Sequence, residues 1–358
     1  MQANDKIRYF LGANSPQGFY SLYDQLLDPA RARAIYIIKG GPGCGKSSLM
    51  HRVAQRAEEA GDTVEYIHCS GDPGSLDGIV LGERRVAVVD GTAPHVVEPA
   101  YPGLVESYVN LGVCYDHAGL QAVRGELMGC MKGYKDCYQR AYRCLSAAAE
   151  IGEDTRAMLT TQSLKEKAAK RAQGILSREV RVPGDGSGQV KQRFLSAVTH
   201  QGVVFFAETA AVQCKRIYAL EDNYGLSHLL LSHLLSGAAG AGYDVVACPS
   251  PMAPDQLEHL LIPALGLGFL TISPSLTCDK RPFRKLRVDA MADPELLHRS
   301  KARLRFSRKV SAALVDEAVD SLSQAKAMHD TLEDCYNPYV DFDRVYRMAD
   351  ELAGEILQ

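Results

Sequence analysis

The chain has no excess of charge of either sign, no pair of cysteines at metal or redox spacing, and no long unbroken apolar run. A formal net charge of −3 over 358 residues excludes a global pull toward nucleic acid or an anionic membrane, so a charged partner has to be argued from a local patch. The 10 cysteines form no Cys-x-x-Cys pair and no secretory leader is readable at the start, so a reducing cytoplasm is the expected setting. The nearest approach to a membrane span, between Leu257 and Leu276, carries Glu258, His259 and two prolines, and reads as no span. What is present is 46% hydrophobic residues, enough for the cores of about two ordinary domains.

The chain repeats itself. IYIIKGGPGCGKSS (35–48) lies over IYALEDNYGLSHLL (217–230), FLGANSPQG (10–18) over FLSAVTHQG (194–202), AGDTVEY (60–66) over AGYDVVA (241–247), and DPGSLDGIVL (72–81) over APDQLEHLLI (253–262). A later echo sets Arg140-Ala141-Tyr142-Arg143 beside Arg344-Val345-Tyr346-Arg347. Between the copies VPGDGSGQ (182–189) has linker composition. These matches predict two repeats, 1–183 and 184–358, with helical extensions over 104–180 and 290–358.

Apolar runs alternate with amphipathic stretches in each copy. In the first, strands are expected over 34–38, 63–69 and 85–90, and a helix over 47–60 ended by Gly61. Alternation of this kind implies an α/β fold with parallel sheets, here two in tandem. Further on, Leu120, Val123, Leu127, Cys130, Tyr134, Cys137, Ala141, Cys144 and Ala148 draw one apolar seam, in which the cysteines read as small apolar residues. Gly125, Gly129 and Gly133 fall on another line of that helix and suggest a closely packed neighbour.

The chemistry is expected in Gly40-Gly41-Pro42-Gly43-Cys44-Gly45-Lys46-Ser47, which fits G-x-x-x-x-G-K-[ST] between an apolar strand and a helix. Glycines let backbone N–H groups turn toward phosphate oxygens, and the following helix start, with Ser48, adds partial positive charge. Lys46 is the candidate for the β- and γ-phosphates, and Ser47 a candidate Mg²⁺ ligand. The run Arg85-Val86-Ala87-Val88-Val89-Asp90 offers Asp90 as the second metal-site carboxylate. No Glu follows Asp90, so Asp77, His95 and Glu98 are the candidates for orienting water, and slow turnover is expected. Cys44, beside a helix N-terminus, reads first as a residue that fits the loop, with a sensitive thiol as the alternative.

In the second copy Lys46 is replaced by His228, Ser47 by Leu229 and Asp90 by Thr271, while Gly43/Gly225, Gly18/Gly202 and Pro73/Pro254 persist. Glu221 and Asp222 there would repel phosphate. One working nucleotide site and one remnant are therefore expected. Between Lys280 and Lys309 eleven Lys/Arg face three acids; a solvated helix face is favoured over a nucleic-acid contact and over Arg284 or Arg287 completing the nucleotide site from across the repeat or from a neighbouring subunit.

With YIIKGGPGCGKSSLM, YIHCSGDPGSLDGIVL and VAVVDGTAPHVVEPAYPG quoted, nearly the whole chain resembles a bacterial, mainly Firmicutes, family of P-loop ATPases or NTPases built from two duplicated halves. The resemblance implies ATP binding through residues 40–47 and hydrolysis. EDNYGLSHL departs from relatives that carry a phosphate loop in both halves. The expectation is a Mg²⁺-dependent, slow ATPase switch whose helical extensions signal to a protein partner or a second copy of the chain. A small-molecule or nucleotide kinase and a non-hydrolysing nucleotide-binding module are the alternatives. The absence of an N-K-x-D motif favours ATP over GTP.

Overall fold

The computed structural model describes residues 6–180 and 187–358, apart from the side chains of 130–132. The expected linker therefore lies largely outside the described residues, as does the Cys130 side chain.

Two six-stranded sheets share one blueprint. The first, β1 (Ile7–Phe10), β4 (Ala34–Lys39), β5 (Val64–His68), β6 (Leu76–Leu81), β7 (Val86–Asp90) and β8 (Glu106–Asn110), has the order β1-β5-β6-β7-β4-β8. The second, β9 (Val190–Gln192), β12 (Arg216–Glu221), β13 (Val245–Ser250), β14 (Ala253–Ile262), β15 (Leu267–Ile272) and β16 (Arg284–Arg287), has the order β9-β13-β14-β15-β12-β16. Position by position the strand directions agree as well. Neither sheet is parallel as expected: β6 runs against β5 and β7, and β14 against β13 and β15. The connections are responsible, because a parallel crossover needs a dozen or so residues whereas β6 and β7 are joined by residues 82–85 alone. A further difference is β8, an edge strand inside the stretch expected to be helical.

Each repeat adds a hairpin, β2 (Gly12–Ser15) with β3 (Gly18–Ser21), and β10 (Ser196–Thr199) with β11 (Gly202–Phe205). Gly18 and Gly202, at φ 106 and 98, make the two tight turns. The repeats meet through Phe10 and Phe194, equivalent residues that exchange N–H···O bonds of 2.9 and 3.0 Å, at the centre of a core cluster drawn from both copies. Such a self-complementary contact marks a pseudo-two-fold axis.

The helices are α1 (Lys46–Glu59), α2 (His117–Ala122), α3 (Arg124–Leu159), α4 (Gln162–Glu179), α5 (Ala207–Gln213), α6 (Ser227–Gly240), α7 (Pro294–Arg299), α8 (Lys301–Tyr336) and α9 (Phe342–Leu357). The long α3 and α8 lie antiparallel, and their buried residues Ala141, Leu145 and Ala148 answer Ala318, Leu322 and Ala325 at a constant spacing. Arg140 thus corresponds to Glu317, with which it also pairs, and the echo of Arg140 in Arg344 is not a structural equivalence, since Arg344 belongs to α9. Of Gly125, Gly129 and Gly133 on α3, only Gly133 has a close neighbour among the described residues, Met328, contrary to the close packing expected of the row.

After the long pair the helices cross over. Helix α4 of the first repeat lays Leu164, Ala172 and Ile175 on α6 of the second, and α9 of the second lays Val345, Ala349 and Ile356 on α1 of the first. Each sheet is therefore covered by a helix belonging to the other copy. No helix among the described residues is long and apolar enough to cross a membrane.

Candidate functional site

Residues 40–48 join β4 to α1 at the C-terminal edge of the first sheet. Gly43 and Gly45 stand at φ 67 and 85, where a side chain is strained, so the glycines there are required by the path of the turn. The turn directs the Lys46 ammonium onto the carbonyls of Gly40 and Gly41, at 3.0 and 2.7 Å, and to within 3.6 Å of an Asp90 carboxylate oxygen. Asp90 reaches that point because β7 pairs with β4 in a register that sets it opposite Ile38. Its other oxygen accepts from the Thr92 N–H at 2.8 Å, which fixes the carboxylate.

The remaining candidates are distributed around this pair. The Ser47 hydroxyl accepts a 3.0 Å bond from the Leu76 N–H, tying the start of α1 to the start of β6, while Ser48 is exposed. Next to Leu76, the Asp77 carboxylate is buried against His95 Nε2 at 3.3 Å and accepts from the Tyr23 hydroxyl at 3.0 Å; His95 Nδ1 has no partner. Burial opposes charge on His95, but Asp77 outweighs it and the imidazole is shifted upward, while Asp77 is held below its ordinary value despite its own burial. Glu98 does not join them: it is a surface group bound to Lys39 at 2.6 Å. Cys44 is 1% exposed and burial pushes its thiol up, so the turn holds a protonated core residue that fits there, in line with the favoured reading and not with a sensitive thiolate.

The crossing helices reach the turn. The Gly43 N–H donates to Glu333 of α8 at 3.2 Å, and a Cβ at Gly45 would lie 3.1 Å from Val345 of α9. From the first repeat, the Gly41 N–H donates to the Tyr115 hydroxyl at 2.9 Å. Arg284 and Arg287 are not neighbours of the turn: both lie on β16, at the edge of the second sheet. Glu333 was invisible to sequence reasoning, because only the crossover brings a residue 290 positions away onto Gly43.

The second copy repeats the frame and fills it. Thr271 stands opposite Leu220 as Asp90 does opposite Ile38. His228 Nδ1 lies 2.9 Å from the Gly225 carbonyl, a shortened version of the Lys46 contact. The Asp222 carboxylate accepts from Tyr224 and Ser227 N–H groups at 3.0 and 2.6 Å, so the inward donors of this turn are taken by its own side chain. Against Gly225 lies Arg156 of α3, the residue equivalent to Glu333, so the charge facing the turn is inverted between copies.

No family model, no curated protein and no solved structure matches the chain.

Proposed function

We propose that residues 40–48 are a phosphate-binding loop of a P-loop NTPase-like repeat, that the first repeat binds ATP with Mg²⁺ and hydrolyses it slowly, and that the second repeat is a scaffold without this site. The observation that carries the reading is the Lys46 ammonium held 3.6 Å from Asp90 by two loop carbonyls, at the mouth of α1. A polyphosphate entering there meets an ammonium otherwise shared between two neutral carbonyls and, at 3.6 Å, the Asp90 carboxylate, together with the donors of a helix N-terminus. Ser47 and Asp90 offer a hydroxyl and a carboxylate, hard oxygen donors of the kind Mg²⁺ takes. They would hold the ion, which when bound neutralises charge on the phosphates.

The Asp77–His95 pair, tied to Ser47 through Leu76, supplies a buried base close to the loop. With His95 leaning on Asp77 and not toward the loop, water is activated poorly, in keeping with slow turnover. Glu333 gives the switch its lever: its carboxylate occupies the Gly43 N–H that a phosphate oxygen would use, so nucleotide binding displaces it and strains the α8–α9 elbow. A partner reading that elbow would sense the nucleotide.

The test is calorimetric titration of ATP with Mg²⁺ into the full chain, followed by ADP detection, on wild type and Lys46→Ala. One Mg²⁺-dependent equivalent of ATP and slow ADP release, both lost in Lys46→Ala, are expected. Wild-type protein that ignores nucleoside triphosphates overturns the reading.

A further inference from the structure

A cavity of about 510 Å³ lies away from the nucleotide turn, between α4 and the β16 edge of the second repeat. Its walls carry Lys167, Lys170, Arg171 and Arg178 of α4 and Arg287 of β16. None of its lining residues is acidic, and among the described residues none of the five cations enters an ion pair. Asp289, just beyond β16, is engaged with Asn223, whose side-chain amide donates to it at 2.7 Å. Leu230, Leu286 and Val288 form an apolar floor, and Gly174 opens the middle of the helical wall, where an added Cβ would meet nothing closer than Arg178 at 3.6 Å.

The first repeat shows that the fold does not require this arrangement. Buried Leu164, Ala168, Ala172 and Ile175 of α4 match Val345, Ala349, Ala353 and Ile356 of α9, which places Met348 at the position of Lys167, Glu351 at Lys170, Leu352 at Arg171 and Glu355 at Gly174. Contacts confirm the match, since Lys167 reaches the Met291 carbonyl where Met348 touches Cys114. In that copy the groove is closed: Leu352 is buried in the core and Glu355 accepts from the Tyr36 hydroxyl at 2.7 Å. The second copy has therefore replaced filling side chains by an opening lined with cations. Glu166 stands four residues before Lys170, but Lys167 with Lys170 and Lys167 with Arg171 are like-charged neighbours at helical spacing, which an anionic ligand would relieve.

We propose that this cavity is a binding site for a small phosphorylated ligand with at least two phosphate groups and an apolar or planar body. The volume suits a molecule of nucleotide size. Guanidinium groups on both walls can grip phosphates in bidentate fashion, while the floor covers the body. Concavity argues against an extended polymer, which would need a charged strip more than an opening at Gly174.

The proposal is independent of nucleotide binding at Lys46, and the test is done with that site disabled. Inorganic pyrophosphate and ADP are titrated into full-length Lys46→Ala protein. One equivalent should bind, ADP more tightly than pyrophosphate. Arg171→Glu should weaken both at least tenfold, as should Gly174→Leu, which adds bulk at a half-buried position facing the cavity without changing charge; unchanged melting curves would confirm that both variants fold. Absence of binding by both probes overturns the proposal. So does binding insensitive to Gly174→Leu, or a single-stranded oligonucleotide that binds more tightly than ADP and ignores that substitution, since either means diffuse surface attraction.

Discussion

Glu333 of α8 accepts a hydrogen bond from the Gly43 N–H at 3.2 Å, across the boundary between the two repeats. In the other copy Arg156 takes its place against Gly225. The inversion follows the turns themselves: a turn ending in Lys46 is faced by an acid, and one opening with Glu221 and Asp222 is faced by a base. Glu333 thus gives the lysine-bearing turn a second negative neighbour beside Asp90.

Removing that charge should help a true anion. Glu333→Gln keeps the shape of the side chain but no longer repels a phosphate, so the ATP dissociation constant should fall about tenfold, roughly 1.4 kcal/mol. Calorimetric titration of the variant checks this; an unchanged constant would show that the carboxylate does not compete with the nucleotide.

The contact between repeats carries a second charged group. Arg193, fully buried, donates to Glu65 at 2.5 Å and to the carbonyls of Gln25 and Leu26, and Lys191 pairs with the other Glu65 oxygen. Burial alone would raise the Glu65 value, but the two cations outweigh it and bring it to about 2. A carboxyl held this low stabilises the fold fully above its ordinary range near 4.5, and the contribution is lost as pH falls from there toward 2. Glu65→Gln should cost roughly 3 kcal/mol at pH 7. Urea melts should show wild type approaching the variant as the medium is acidified.

For the Asp77–His95 pair the loss runs the other way. His95 is shifted upward, so its share of stability is complete below about 6.5 and disappears as pH rises through the folded value. Asp77→Asn, which leaves His95 buried without a counter-charge, should destabilise by about 3 kcal/mol at pH 6 and by clearly less at pH 9. Thermal melts of both proteins at the two pH values test it; an equal gap at both would assign the cost to packing and not to charge.

Much of this architecture can be read in the chain, and what cannot has a physical cause. The duplication is legible because matched apolar strands and turn glycines must recur if two copies fold alike, and the pairing of Asp90 with Thr271 agrees with strand register in both sheets. The antiparallel β6 was within reach, since the four residues 82–85 are too few for a crossover. Its fully buried run Leu76–Leu81 hides direction, because apolar pattern is the same read either way. The basic cavity left a trace in the spacing of Lys167, Lys170, Arg171 and Arg178, one face of α4, but its counterpart Arg287 is added only by the sheet edge. The exchange of α4 and α9 left none: an amphipathic stripe specifies that a helix is covered, not by which partner.

That exchange makes the two repeats interdependent, and cutting the chain between residues 183 and 184 should expose it. Each fragment keeps its own sheet yet loses the helix that covers it: the first would bare Leu49, Met50 and Val53 of α1, the second Leu230, Leu231 and Leu234 of α6. Burial of Val345, Leu352 and Ile356 alone contributes about 2 kcal/mol each, and a whole domain is stable by only about 5–15 kcal/mol. Neither fragment should therefore melt cooperatively by itself, whereas an equimolar mixture should recover a 1:1 complex with a single sharp transition. The fragment 1–183 melting cooperatively as a lone monomer would mean that α9 is dispensable to the first sheet, and with it the route by which Glu333 reaches Gly43.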